Sequence, residues 1–289
     1  MAMIKSDRQD IITIYEATQR SGGLTSSLRQ AYFDLSNSRH VITRLFWRDF
    51  IAQFRQKILG YFWALLNPIL GIVSFLFLYS IGVLKPGQGE IPYPLYVLVG
   101  TTIWACLPGA MGAVSSGLQS QADLILRTKI PKLALAMSSL AGVFYSIAIS
   151  MITMMAVFLI MGRWPSLWIL AYPLLVLPMV LLGTAIGLML AVLGTIARDL
   201  TPLATQGLSL LMYLTPAVYL HSSIESPTIQ FLIKCNPLTY LIDVPRALIC
   251  LDQANDIPVF LVVIVATVIL VIVGLKIFYL LEDLVAERL

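Results

Sequence analysis

Long uncharged stretches dominate this chain, and short polar segments separate them. Six intervals contain no Asp, Glu, Lys or Arg: Tyr61–Leu84, Ile91–Ala122, Leu133–Gly162, Trp164–Ala197, Leu200–Ile224 and Ile257–Leu275. Each can supply the roughly 20 apolar residues that carry a helix across about 30 Å of hydrocarbon. A lone segment in lipid must satisfy its own backbone hydrogen bonds, and only a helix does so. The pattern therefore predicts an all-α integral membrane protein with six transmembrane helices, over 61–84, 93–118, 133–162, 168–196, 201–221 and 257–280.

Three stretches depart from this alternation. Over residues 39–59, Ile42, Phe46, Phe50, Phe54 and Ile58, with Trp47 and Ile51, fall within half of a helical wheel, and Arg44, Arg48 and Arg55 project at its margin. That is the pattern of an amphipathic helix lying in the headgroup layer, its arginines among lipid phosphates; the plainer alternative is a helix packed on a soluble domain, and the chain holds no such domain. The second, 119–132, is polar between two greasy runs. Asp123 and Arg127 stand four apart with the acid first, which favours a short surface helix, and Pro131 ends it. Taken alone, it also reads as an ordinary positive-inside loop. The third, 226–251, holds two short apolar pieces broken by Asn236-Pro237 and carries Lys234, Asp243 and Arg246. Neither piece can span, so the reading is two half-length helices re-entering from the outer face, with an extracytoplasmic loop as the alternative.

Residues 1–38 are polar at first, with Ser21-Gly22-Gly23 as a flexible break, and are expected to be a loosely ordered cytosolic arm before a transmembrane domain over 39–289. Met1 to Asp10 shows no apolar core with a small-residue cleavage site, so no removable signal peptide is expected.

Composition agrees with the pattern: at 58% hydrophobic and 12% charged residues, there is too little polar surface to clothe a soluble globule. The net charge of +4 comes from basic residues gathered before Tyr61 and beside the apolar runs, which is a topology and lipid-headgroup signal and points to no nucleic-acid partner. With six crossings, fifteen of the 19 Lys and Arg fall on the side of the N-terminus, which makes both termini cytoplasmic. The three cysteines, Cys106, Cys235 and Cys250, and the two histidines, His40 and His221, have no metal-ligand spacing. Cys235 and Cys250 share the outer side in this topology, and a bridge between them stays open.

A membrane-embedded enzyme needs paired carboxylates or a His beside Asp or Glu, and no such set appears. An ion-coupled carrier usually buries ionisable groups in its spans, and these spans have none except His221 at the outer end of the fifth. Nor is there a Gly-x-x-x-x-Gly-Lys-Ser/Thr phosphate loop, so no cofactor is expected in this chain and the driving force must come from a partner.

Particular residues carry a resemblance. Leu59-Gly60-Tyr61-Phe62-Trp63-Ala64-Leu65-Leu66-Asn67-Pro68 resembles the Leu-Gly-x-x-Trp-x-x-Leu-x-Pro start of the first span in bacterial ABC-2-type permeases. Ala197-Arg198-Asp199-Leu200 is similar to the Arg-Asp turn closing their fourth span. Cys235-Asn236-Pro237-Leu238-Thr239-Tyr240 is similar to their Asn-Pro-Leu-x-Tyr segment before the last. The resemblance runs from Arg39 to the C-terminus and leaves the first 38 residues without a counterpart. It implies the membrane half of an ATP-driven exporter in the bacterial inner membrane, most like those for O-antigen, capsule or teichoic-acid chains. It further implies a homodimer with two copies of an ABC ATPase that holds ATP and Mg, and a lipid-linked polysaccharide as cargo. In that frame Asp123, Leu124, Arg127 and Lys129 couple to the ATPase, and Asn236, Pro237, Asp243 and Arg246 form an outer gate. A drug-like or lipid cargo, or a scaffold that moves nothing, are the rival readings.

Trp104 lies about 15 Å into the second span at 1.5 Å per residue, where the interfacial aromatic belt gives no reason for a Trp. Tyr213 sits similarly in the fifth, with Tyr79 and Tyr219 nearer the surface. These four are the expected polymer path, sugar faces stacking on their rings; the alternative is that they pack between helices or belong to the belt.

Overall fold

Lipid tails are as apolar as leucine, so helices in a bilayer associate through close packing rather than escape from water. The computed structural model describes residues 24–55, 61–82, 90–121, 130–197, 199–219 and 226–288, and among these it contains helices and no strand. In chain order they are α1 (Leu24–Asn37), α2 (Arg39–Arg55), α3 (Tyr61–Ser80), α4 (Tyr93–Ser120), α5 (Lys132–Ser138) and α6 (Ala141–Ile160). A 3-10 turn (Leu167–Ala171) and the single-turn α7 (Tyr172–Leu175) lead to α8 (Leu177–Ile196), α9 (Leu200–Leu214), α10 (Pro227–Cys235), α11 (Pro237–Leu251) and α12 (Ile257–Arg288).

The closest packing centres on α4, which lies along α8, and α8 in turn lies along α12. Glycine makes this possible. Gly183 and Gly187 are one turn apart on α8, and a Cβ on Gly187 would sit 2.8 Å from both the Met111 carbonyl oxygen and the Val114 side chain. Gly183 meets Leu107 and Ala110 in the same way, and Gly274 of α12 rests on Ala185. This small-x-x-x-small spacing lets backbones approach and multiplies dispersion contacts. On its other sides α4 meets α5 and α6, with α3 across α4 and α6.

Among the described residues, four helical stretches are long and apolar enough to cross a membrane: Tyr93–Leu118, Lys132–Ile160, Leu167–Gly194 and Ile257–Leu281. The protein is thus a multi-pass membrane protein. α3 adds a further apolar helix of 20 residues. The fifth interval forms less helix than the pattern predicts: α9 has 15 residues, about 22 Å, and gives way to turns at Thr215.

The bundle has two distinct ends. At one, α1 packs on α12, where the Tyr279 hydroxyl donates to Asp34 Oδ2 at 2.7 Å, and α2 packs on α5 and α6. At the other, α11 packs on α4 and α12 with α10 against α11, and the Ser166 N–H donates to the Ile249 carbonyl at 3.0 Å. Residues 24–37 fall within the stretch expected to be a loosely ordered arm, yet Leu24, Leu28, Ala31 and Leu35 recur at helical spacing, and α1 forms there packed on α12 and α5.

Candidate functional site

α10 and α11 meet at Asn236-Pro237, and local chemistry makes the junction rigid. Proline's fixed φ suits the first position of α11, and Asn236 caps it, Oδ1 accepting from the Leu238 N–H at 3.0 Å. The other end of the same amide, Nδ2, donates to Thr215 Oγ1 at 3.0 Å. The Thr239 hydroxyl donates to the Ile233 carbonyl at 2.8 Å and the Tyr240 hydroxyl to that of Lys234 at 2.8 Å, so the last carbonyls of α10 are not left bare.

Two turns into α11 stands Arg246, 1% exposed. Its Nη2 donates to the Pro216 carbonyl at 2.7 Å and to Asp243 Oδ1 at 2.8 Å, while its guanidinium carbon lies 3.7 Å from the centroid of the Tyr96 ring on α4. Tyr96 donates its own hydroxyl to the Tyr219 carbonyl at 2.9 Å and reaches that of Pro216 at 3.2 Å. A buried charge is tolerable only when paired and stacked, and here a carboxylate and a carbonyl dipole meet Nη2 and a π face meets the plane, while Nε and Nη1 are buried without a hydrogen-bond partner. Gly100 completes the joint: a Cβ there would collide with the Ala217 carbonyl, so only glycine lets residues 215–219 lie on α4. One side chain thus bolts together α4, the turn after α9, and α11. Nearby, burial first, then the charges of Asp256, Cys235 and Asp243, raises the Tyr240 phenol, which stays a proton donor. Burial pushes the Cys250 thiol up to about 12 against the pull of Arg246 and Arg163, and all three cysteines are free thiols.

The residues singled out in the sequence are distributed unevenly. Asn236, Pro237, Asp243 and Arg246 come together in this joint. Trp104 is 4% exposed and packed in the core around α4, so it lines no open surface of the protomer. Tyr213, at 63% exposure, stands open on α9. Tyr219 donates its hydroxyl to the Tyr213 carbonyl at 3.0 Å, and Tyr79 packs on Tyr93 with ring centroids 4.8 Å apart. Of the four aromatics, Trp104 packs among the helices within the protomer, while Tyr79 and Tyr213 are exposed.

Arg44 and Arg48 are exposed on α2, Arg48 Nε donating to Asp49 Oδ1 at 2.8 Å, while the side chain of Arg55 lies outside the described residues. The greasy face of α2 is divided. Phe46 and Phe50 pack against Phe144 and Tyr145 of α6 with centroids 5.9 and 5.8 Å apart, whereas Trp47 and Ile51 remain exposed. Asp123, Leu124, Arg127 and Lys129 lie outside the described residues.

Sequence reasoning missed Tyr96, whose partner is 150 positions away, and a groove of about 460 Å³ between α4 and α6 lined by serines and Gln121. The signal for the groove was available as Ser116 and Ser120 on α4 and Ser146 and Ser150 on α6, each pair four apart, with Ser139 in the turn before α6.

The sequence profile of the family described as "ABC-2 type transporter" matches residues 40–250, taking in α2 through α11. The chain belongs to the ABC-2 type transporter family. Relatives of this ABC-2 permease include the O-antigen export system permease protein RfbA of Myxococcus xanthus, 25% identical over 210 residues, 72% of this chain and 79% of the relative. A protein of the same name from Klebsiella pneumoniae is 25% identical over 246 residues, covering 84% and 92%, and a second from that organism is 26% identical over 247 residues with the same coverage. The permease is a multi-pass membrane transport protein.

Proposed function

We propose that this ABC-2 permease is the membrane subunit of an ATP-driven exporter that carries a lipid-linked, O-antigen-like polysaccharide from the cytoplasm across the bacterial inner membrane. In this reading two copies pair, each recruits one ABC ATPase holding ATP and Mg, and both termini face the cytoplasm. Six crossings per copy supply the wall, with α3 and α9 completing it where the copies meet and α10–α11 re-entering from the outer face.

The observation that carries the pathway is α9. None of its residues is buried, and Thr205, Gln206, Ser209 and Tyr213 are all exposed on it. Polar side chains of a membrane helix face protein or a hydrated cavity, so α9 is suited to border a path closed by a second copy. Tyr213 supplies a ring face for sugar there. The cargo class is supported by relatives named for O-antigen export along most of the chain. The segment with Asp123, Leu124, Arg127 and Lys129 is the proposed ATPase handle; Leu124→Pro should uncouple export while insertion persists, because proline breaks a helix there.

Deletion of the gene with blotting for surface polysaccharide tests this directly, together with co-purification of an ABC ATPase whose hydrolysis rises with undecaprenyl-linked glycan. Unchanged surface polysaccharide in the deletion strain would sink the reading.

A further inference from the structure

The groove between α4 and α6 has an unusual chemical polarity. It holds about 460 Å³ and is lined by hydroxyls on both walls, with Gln121 and Asp49 contributing as well. Almost every hydroxyl proton there is committed to a main-chain carbonyl. Ser116 Oγ donates to Gly112 O at 2.7 Å, Ser120 Oγ to Gly117 O at 3.1 Å, Ser146 Oγ to Gly142 O at 3.0 Å and Thr102 Oγ1 to Leu98 O at 2.8 Å. Ser139 donates across the groove to Ala113 O at 2.8 Å or along its own turn to Ala136 O at 2.6 Å. A hydroxyl has one proton and two lone pairs, so these oxygens face the groove as acceptors.

Gln121 gives the independent sign of a ligand. The residue is 7% exposed and lines the groove; its Nε2 donates to Ser138 Oγ at 3.4 Å, and its Oε1 is buried with no donor. A buried acceptor without a partner is unfavourable, and of the unpartnered buried side-chain atoms among the described residues it is the one that lines the groove, where a donor from outside the protomer would satisfy it. Asp49 adds a carboxylate, paired with Arg48 at 2.8 Å, and among the described residues no Lys or Arg lines the groove. A phosphate, rich in lone pairs and negative charge, is therefore the wrong guest.

We infer that the α4–α6 groove is a binding site for a neutral, hydroxyl-rich group, a sugar unit of the cargo glycan, which donates its hydroxyls to Gln121 Oε1 and the serine oxygens. Its volume lies in the range of small-molecule sites. This rests on the polysaccharide reading above and adds to it a sugar-recognising site apart from α9.

The structure offers a clean obstruction. Gly109 lines the groove, and a Cβ on it meets no atom within 4 Å, so Gly109→Leu fills the space without displacing the bundle and gains helix propensity. Ala148→Leu, on an exposed position of α6 outside the groove, is the control. In cells lacking the chromosomal copy, wild type and Ala148→Leu should restore surface polysaccharide, while Gly109→Leu should lower it about tenfold or more, because a filled pocket admits no ligand. Membrane insertion and ATPase co-purification should match wild type. Gln121→Leu should also lower export, and Gln121→Glu, which keeps the acceptor, should recover part of it. A photo-crosslinking benzoylphenylalanine at Ser146, in cells fed radiolabelled sugar, should yield a labelled adduct. Wild-type export by Gly109→Leu, or an adduct holding phospholipid and no sugar, overturns the groove site and leaves the exporter reading standing. Intact surface polysaccharide in the deletion strain itself overturns both.

Discussion

Removing the guanidinium of Arg246 would leave the Asp243 carboxylate, the Pro216 carbonyl and the Tyr96 ring facing a void. Breaking a buried pair costs about 3–5 kcal/mol, and the lower end applies here because the Asp243 side chain keeps 27% exposure. Arg246→Met should therefore lower the thermal unfolding midpoint of the detergent-purified protein clearly. Arg246→Lys should recover only part of it, since a lysine can pair with Asp243 but lacks the planar fork that reaches Pro216 while stacking on Tyr96. Tyr96→Phe keeps the ring and loses only a hydroxyl, for a loss of about 1 kcal/mol. A midpoint for Arg246→Met equal to wild type would show that the joint is not what holds α11 down. Arg246 and Asp243 were legible in the sequence as charges that a hydrophobic neighbourhood must accommodate. Tyr96 was not, because a tyrosine near the start of an apolar run satisfies the belt rule equally well, and nothing in linear order ties position 96 to 246.

Close packing of α4 on α8 sets a steric limit at the level of elements. Gly183→Val would drive a branched side chain into Leu107 and Ala110, and overpacking of this kind costs about 1–3 kcal/mol. Thermal unfolding and limited proteolysis in detergent should both show it, with Gly109→Ala, which meets open space and gains helix propensity, as the comparison that loses no stability. The seam was readable as Gly183-x-x-x-Gly187 in a greasy run, a spacing that hydropathy alone passes over. The ends of elements were harder. Charge-free intervals mark where lipid can be, not where hydrogen bonding stops, so the pattern extends the fifth span past Leu214, where α9 ends. A second test concerns α2. Because Phe46 and Phe50 rest on Phe144 and Tyr145, replacing both with Ala should loosen α2 more than the charge reversals Arg44→Glu and Arg48→Glu. Protease accessibility of α2 in membranes would measure this, and greater loosening by the reversals would return the helix to the headgroup layer alone.

For the whole molecule, the contrast between Trp104 and Tyr213 predicts where water reaches. In a background with the exposed Cys235 changed to Ser, Tyr213→Cys should react with a membrane-impermeant maleimide at least about tenfold faster than Trp104→Cys, since thiol reactivity follows exposure. Equal rates would mean that the path runs through α4 after all. The glycine seam also carries a consequence for biosynthesis. α4 enters the bilayer before α8 has been translated, so the surface formed by Leu107, Ala110, Met111 and Val114 first meets lipid and only later Gly183 and Gly187. α8 in turn waits for Gly274. The interior is closed only once α12 has been made, so a nascent chain stalled before that point is inserted but incompletely assembled, with the α12-facing side of α8 around Ala185 open to quality-control proteases.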